Sequence, residues 1–372
     1  MNVFEELDHR GHEQVVFCNE SKSGLRAIIA VHNTSLGPAL GGTRMWTYAD
    51  TDEALRDVLR LSRGMTYKAA IAGLNLGGGK AVIIGDPNKD KTEVLFRTYG
   101  RFVEGLSGRY ITAEDVGTTV REMEWVRTET KYVTGISRAL GGSGDPSPVT
   151  ALGVFVGLKS SCSEAFGSDS LKGKKVVVQG AGNVGSYLCR HLAKDGAKIF
   201  VTDIFEEKAK ALARSVKATY VKPDKIFSIP ADIFAPCALG GILNDETIPK
   251  LKVKIVAGGA NNQLLDEKKH MQMLMDRRIL YAPDYAINAG GLMNVANELE
   301  GYREERALKQ AEGIYDILRA VFALAKAERI STSQAANKLA ETRIEAISRI
   351  KQTYAGRSEF TGRLGERTQG SR

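Results

Sequence analysis

Residues able to do chemistry fall in two stretches of the chain. In the first third, Lys68 in GMTYK, Lys80 at the end of GLNLGGGK and Asp115 in YITAEDVGTT bring three charges near expected strand ends. Two cations in one cleft lower each other's affinity for protons, and partial burial adds to this. One lysine can then be neutral near pH ~7–8 and act as a general base, while the other stays charged and holds a carboxylate. An aspartate between them can exchange protons with an amine. Glycines 77, 78 and 79 remove side-chain bulk before Lys80, so a substrate or cofactor is expected to approach the backbone there. Spacing alone leaves open a plainer reading, in which all three are surface or fold-stabilising charges.

The second stretch is VVVQGAGNVG, residues 176–185, an apolar run entering Gly180-x-Gly182-x-x-Gly185 with Asn183 and Val184 between the last two glycines. The first glycine permits a tight turn and the second a close approach to a pyrophosphate. The third lets the following helix pack on the strand with its N-terminal amides facing the phosphates. The next apolar run, KIFVTD, ends at Asp203, 23 residues after Gly180, where a carboxylate can accept hydrogen bonds from an adenine-ribose 2′-hydroxyl. Ile204, Phe205, Glu206 and Glu207 follow it. A 2′-phosphate would be repelled there, so NAD is expected over NADP. The alternative is a structural glycine turn in an unrelated α/β sheet.

These groups need elements to hold them, and strands alternate with helical patterns throughout. Runs at 25–46, 80–86 and 109–115 read as strands, with helices from Thr51 or Asp52 and through 91–106. The pattern predicts an α/β layer architecture. GISRALGGSGDPSPVT, around 135–150, is rich in glycine and proline and reads as a linker or hinge. Two domains separated by a cleft are therefore expected. Residues 1–145 form an N-terminal α/β domain for substrate and oligomerisation, and 146–330 a Rossmann NAD-binding domain. A C-terminal helix at about 330–355 folds back on the first domain, and 356–372, with almost no apolar content, are expected to be flexible.

At 372 residues the chain exceeds one ordinary core, and its 43% hydrophobic and 26% charged residues are those of a globular protein. The formal charge of +8 is modest for this length and forms no dense basic block, so no nucleic-acid partner is expected. No apolar run approaches the ~20 residues that span a bilayer, and the polar start MNVFEELDHRGHEQ lacks the layout of a signal peptide. Cys18, Cys162, Cys189 and Cys237 form no C-x-x-C pair, and the five histidines make no ligand pattern with them. A cytoplasmic protein with neither disulfide framework nor metal is expected.

Nine segments resemble the amino-acid dehydrogenase family that includes the glutamate, leucine, valine and phenylalanine enzymes. They are GPALGGTRMW (37–46), GMTYKAA (64–70), GLNLGGGKAVIIGDP (73–87), GRYITAEDVGTT (108–119), GDPSPVTALGVF (144–155), QGAGNVG (179–185), APCALGG (235–241), GGANNQL (258–264) and YAPDYAINAGG (281–291). They occur in one order across roughly residues 10–350. The resemblance implies NAD-dependent, reversible oxidative deamination of an L-amino acid to a 2-oxo acid and ammonia. By position, Lys68 resembles the anchor of the substrate carboxylate, Lys80 the base that activates water, and Asp115 the proton-transfer partner of the amine. Asn261, Asn262 and Asn288 resemble ligands around nicotinamide and substrate, with Asn262 on the substrate side, while Cys237 and Ala238 resemble the stretch beside the adenosine.

Within the family, GLNLGGGK and TAED side with the branch acting on branched-chain substrates, whose pocket would involve Leu40, Gly41, Ala113, Leu292 and Val295. The segment GGSGD (141–145) instead resembles the phenylalanine branch, and an aromatic substrate, phenylalanine or tryptophan, stands as the alternative. One methylene in an apolar pocket decides only ~1–3 kcal/mol. A non-catalytic NAD-binding sensor is a remote third reading. The resemblance also implies a homo-oligomer, a dimer or an octamer.

Overall fold

A computed structural model describes residues 2–350. The expected tail at 356–372 lies outside the described residues.

The chain opens with helix α1 (Val3–Arg10) and strands β1 (Gln14–Glu20), β2 (Leu25–Asn33) and β3 (Ala39–Trp46). Helix α2 (Thr51–Ile71), β4 (Gly77–Ile84), α3 (Glu93–Glu104), β5 (Tyr110–Glu114) and α4 (Val120–Arg127) follow. The strands form one sheet in the order β1-β2-β4-β3-β5. β1 and β4 run antiparallel to β2, whereas β3 is parallel to both β4 and β5. β2 and β4 are buried almost throughout because helices cover both faces, which is why their sequences are nearly continuous apolar or glycine runs. Asp50 caps α2 by accepting the Glu53 N–H at 2.7 Å, and Leu55, Val58 and Leu59 then face the sheet. The sequence reading began the sheet at residue 25, whereas β1 precedes it. It also began the fourth strand at Lys80, which instead lies in the middle of β4.

Residues 135–146 run as a loop with one 3-10 turn, Arg138–Leu140, into the long helix α5 (Ser147–Phe166). A second sheet follows, built from β6 (Lys175–Gln179), β7 (Lys198–Thr202), β8 (Thr219–Tyr220), β9 (Ile233–Pro236), β10 (Ile255–Val256) and β11 (Leu280–Tyr281). Its helices are α6 (Asn183–Lys194), α7 (Glu206–Val216) and α8 (Glu267–Asp276). All neighbouring strands are parallel, in the order β11-β10-β9-β6-β7-β8. The direction of winding reverses between β6 and β9, which opens a crevice at their carboxyl ends.

From residue 284 on the chain is helical in short pieces, α9 (Asp284–Ile287), α10 (Gly290–Ala296), α11 (Glu304–Glu312), α12 (Ile314–Glu328) and α13 (Thr332–Ile350). Gly301 at φ +81 and Arg329 at φ +57 mark two of the breaks. α13 returns to α2, where Ala340 packs with Leu36 and Ala70, and Tyr67 Oη donates to Glu341 at 2.7 Å. Arg343 donates to the carbonyls of Gly73 and Leu74 and to Asn75 Oδ1, at 3.1, 2.6 and 2.9 Å. It thereby satisfies carbonyls just past the end of α2 that no helical partner can reach.

Candidate active site

A cleft of about 1050 Å³ opens between the two sheets. On the wall of the first sheet, Lys80 is only 5% exposed, and its Nζ lies 3.0 Å from Asp115 Oδ2. Arg44, on β3, donates through Nε to the same oxygen at 3.1 Å. Burial pushes the Asp115 carboxyl up, but Lys80 and Arg44 outweigh it and hold the group below the ordinary aspartate value. Asp115 is therefore a carboxylate held by two cations.

Lys68 reaches the same cleft from the last turn of α2. The helix can lie close to β4 because of Gly78, where a Cβ would sit 2.1 Å from the Thr66 backbone nitrogen. Burial, with a smaller push from Lys80, lowers Lys68 to about 8 against the pull of Asp284 and Asp115. Its Nζ stands 3.5 Å from Asn261 Oδ1 on the opposite wall.

That opposite wall is the ANNQ turn after β10. Asn262 adopts φ +50, a left-handed conformation that asparagine tolerates. Its Oδ1 accepts from Arg60 of α2 at 3.3 Å. Asn288 donates to Asn261 Oδ1 at 2.8 Å, while its own Oδ1 is buried without a partner. Asp284 pins the turn by accepting the Gln263 N–H at 3.1 Å. Burial raises Asp284, with backbone hydrogen bonds and Lys68 opposing. Leu40, Gly41, Ala113, Leu292 and Val295 also line the cleft, four of them with apolar side chains. Glu114 also lines it, and burial, with Asp145 nearby, pushes its carboxyl up to about 7.

The nucleotide motif sits at the crevice where the second sheet reverses. Gly180 has φ +111 and ends β6, and a Cβ at Gly185 would meet the Gly180 carbonyl oxygen at 2.0 Å. A Cβ at Gly182 would instead meet open space. The backbone there, at the start of α6, faces a crevice able to receive a phosphate on the free helix amides. Cys237 continues β9 across the switch point, its N–H donating to the Gln179 carbonyl at 2.7 Å, and Ala238 follows it in the exposed loop. Asp203 closes the far side, accepting the Ala181 N–H at 2.7 Å and the Phe205 N–H at 2.9 Å. Each oxygen keeps a lone pair for a ribose hydroxyl. Glycine turn, free amides and carboxylate together fit a dinucleotide.

The expected site residues thus divide between two places. Lys68, Lys80, Asp115, Leu40, Gly41, Ala113, Val184, Asn261, Asn262, Asn288, Leu292 and Val295 all line the cleft. Gly180, Gly182, Asn183, Gly185, Asp203, Cys237 and Ala238 surround the crevice beside it. Two expectations need correction. Glycines 77–79 make room for protein and not for ligand, since their Cβ positions would strike Asn33, Thr66 and Tyr110. Lys68 also sits on a helix and not near a strand end. Arg44, Arg60, Glu114 and Asp284 were not singled out as site residues, although Arg44, Glu114 and Asp284 lie inside the quoted segments.

Two α/β domains, a dinucleotide crevice and a lysine-rich cleft between them define a dehydrogenase of the two-domain NAD(P)-dependent class. Residues 12–132 match the family model for the Glu/Leu/Phe/Val dehydrogenase dimerisation domain. Residues 141–205 and 201–351 match that of glutamate/leucine/phenylalanine/valine dehydrogenase. Leucine dehydrogenase of Thermoactinomyces intermedius is 58% identical over 354 residues, covering 95% of this chain and 96% of the relative. Phenylalanine dehydrogenase of Lysinibacillus sphaericus is 53% identical, covering 92% and 91%. The crystal structure of L-tryptophan dehydrogenase from Nostoc punctiforme superposes with a TM-score of 0.84 at 51% identity, covering 93% of this chain and 99% of the other. The chain belongs to the Glu/Leu/Phe/Val dehydrogenase family and is an amino-acid dehydrogenase.

Proposed function

We propose that the chain oxidatively deaminates branched-chain L-amino acids, leucine foremost with valine and isoleucine, to 2-oxo acids and ammonia, reversibly and with NAD. The observation that carries this reading is the meeting of Lys68, Lys80 and Asp115 in one cleft that Leu40, Ala113, Leu292 and Val295 also line. Identities of 55–58% to several leucine dehydrogenases support it.

In this reading Lys68 Nζ holds the substrate carboxylate, and Asp115 receives the ammonium group and takes its proton. When bound, NAD supplies the acceptor for the hydride that leaves the α-carbon. An ammonium arriving at Asp115 competes with Lys80 for the carboxylate. Lys80 then removes a proton from the water that adds to the substrate iminium, and collapse of the carbinolamine yields the oxo acid and ammonia. Asn262 flanks the substrate, while Asn261 and Asn288 orient the nicotinamide, for whose amide the unpartnered Asn288 Oδ1 is a fitting acceptor. Closing the cleft excludes bulk water.

Asp203, with Glu206 and Glu207 close behind, favours a free 2′-hydroxyl and hence NAD over NADP. The match of residues 12–132 to a dimerisation domain, together with the edge strand β1 carrying a half-exposed Phe17, supports a homo-oligomer. No helix among the described residues is long and apolar enough to cross a membrane, and we place the enzyme in the cytoplasm. The domain division at about residue 145, with α13 completing the first domain, belongs to the same proposal.

The test is NAD reduction with L-Leu, L-Ile, L-Val, L-Phe, L-Trp and L-Glu, with NADP in parallel and light scattering for the assembly. The expected result is the highest kcat/KM on leucine with NAD. A preference above tenfold for Phe or Trp would overturn the pocket reading in favour of the aromatic alternative. Absence of turnover with NAD still bound would overturn the reaction.

A further inference from the structure

We infer that Arg44, Asp57 and Arg60 form a positioning chain that ties the orientation of the Asp115 carboxylate to closure of the cleft. The inference rests on the reaction proposed above, in which Asp115 handles the substrate amine.

The chain is continuous. Arg44 bridges two carboxylates, donating through Nε to Asp115 Oδ2 at 3.1 Å and through Nη1 to Asp57 Oδ2 at 2.9 Å. Tyr48 Oη also donates to Asp57 Oδ2, at 2.8 Å, and Arg60 Nη2 donates to its other oxygen at 2.8 Å. Arg60 Nη1 then crosses the cleft to Asn262 Oδ1 at 3.3 Å. Asp57 and Arg60 are three residues apart on α2, so one helix face presents both.

Two features give this arrangement a role beyond holding the fold. Among the described residues, both side-chain donors to Asp115 fall on Oδ2, which leaves Oδ1 to face the amine. The guanidinium, planar and fixed on Asp57, thus sets the rotation of the Asp115 carboxylate. Arg60 is half exposed and free to point into water, yet its fork is divided between Asp57 and the one turn of the opposite domain that borders the substrate. Opening the cleft removes Asn262 from Arg60, loosens Asp57, and through Arg44 releases Asp115. A carboxylate oriented only in the closed state acts only where water has been excluded.

The groups facing Asp115 are Lys80 of β4, Arg44 of β3, Lys68 of α2, Tyr110 of β5, Tyr48 and the adjacent Glu114. Removing the Arg44 charge leaves the others in place, so the change in pH dependence isolates it. The experiment compares Arg44→Met, Arg44→Lys, Arg60→Gln and the double variant Arg44→Met/Arg60→Gln in the full-length enzyme with NAD and leucine. Arg44→Met is expected to lower kcat about 10²-fold through misplacement. It should also move the acid limb of kcat/KM upward by about one pH unit, because a cation favouring the carboxylate is gone. Arg44→Lys should return the limb but not the rate, since an ammonium cannot span both carboxylates. Arg60→Gln should lower kcat about three- to tenfold, and this loss should vanish when Arg44 is already Met. An unmoved acid limb, or an Arg60→Gln loss that is the same factor in both backgrounds, overturns the chain. If Arg44→Met does not fold, Arg44→Lys serves as the second background. Wild-type inactivity on every amino acid would instead count against the reaction itself.

Discussion

Lys68 is a cleft side chain whose charge state changes near pH 8, and its effect can be read with a ligand that needs its cation. Lysine ordinarily holds its proton to about 10.5, and burial with Lys80 nearby brings Lys68 to about 8. For a lysine so depressed, the cation is present below about pH 8 and lost above it. The charged fraction falls from about nine-tenths at pH ~7 to about one-tenth at pH ~9. The perturbation is pH itself, and the ligand is 4-methylpentanoate, which is leucine without its amine and stays fully ionised across this range. Its inhibition constant against leucine should be flat to pH ~7.5 and rise about tenfold by pH ~9, as free enzyme with a charged anchor becomes scarce. In Lys68→Arg the guanidinium keeps its charge, so the constant should be higher at pH 7 but level to pH 9. A flat profile in the wild type would refute the depressed lysine. An equal rise in Lys68→Arg would transfer the titration to another group, with Lys80 the first to examine.

Other outcomes follow from the same geometry. Asp284→Asn removes a charge that supports the Lys68 cation, so the bend in the 4-methylpentanoate profile should move to lower pH, while the Tm changes little if asparagine still accepts the Gln263 N–H. Gly185→Ala places a methyl 2.0 Å from the Gly180 carbonyl, so the turn must distort. NADH titrated by fluorescence should bind at least about tenfold more weakly, while the first domain stays folded. Asp203→Ser should narrow the preference for NAD over NADP, read as the ratio of the two kcat/KM values. Arg343→Met strips charged hydrogen bonds from the carbonyls beyond α2, with an expected loss of about 1–3 kcal/mol in urea unfolding. A loss near zero would mean that solvent replaces Arg343 without cost.

What was legible in the chain tracks how local each feature is. The glycine turn needs only a strand, a turn leading into a helix, and a carboxylate one strand later, so Gly180, Gly185 and Asp203 could be placed by counting. Lys68, Lys80 and Asp115 come from three elements, and their meeting depends on a helix lying against a strand at Gly78, a contact that no spacing expresses. The resemblance brought them together before the geometry did. Arg44, Asp57, Arg60 and Asp284 remained hidden because a charged residue on a helix face or beside a strand end reads as solvated unless its partners are known. The first strand, QVVFCNE, was passed over because its two polar residues at the end and its moderate burial blur the alternation.

Spacing also could not say which lysine would yield its proton, and the structure gives an asymmetry with a mechanistic consequence. Lys80 is the more buried of the two but carries a carboxylate at 3.0 Å. Lys68 forms no ion pair among the described residues and has only an amide oxygen at 3.5 Å. Desolvation without a compensating anion destabilises the Lys68 cation. A substrate brings both missing partners at once. Its carboxylate supplies the anion that Lys68 lacks, and its ammonium draws Asp115 away from Lys80. Binding therefore gives Lys68 its anion and draws one from Lys80, so the two lysines exchange partners as the complex forms. If this exchange operates, Asp115→Asn should do more than lose a proton acceptor. It should leave Lys80 without its ion pair in the free enzyme and lower kcat by at least about 10²-fold. A residual rate within about tenfold of the wild type would show that Asp115 does not handle the substrate amine.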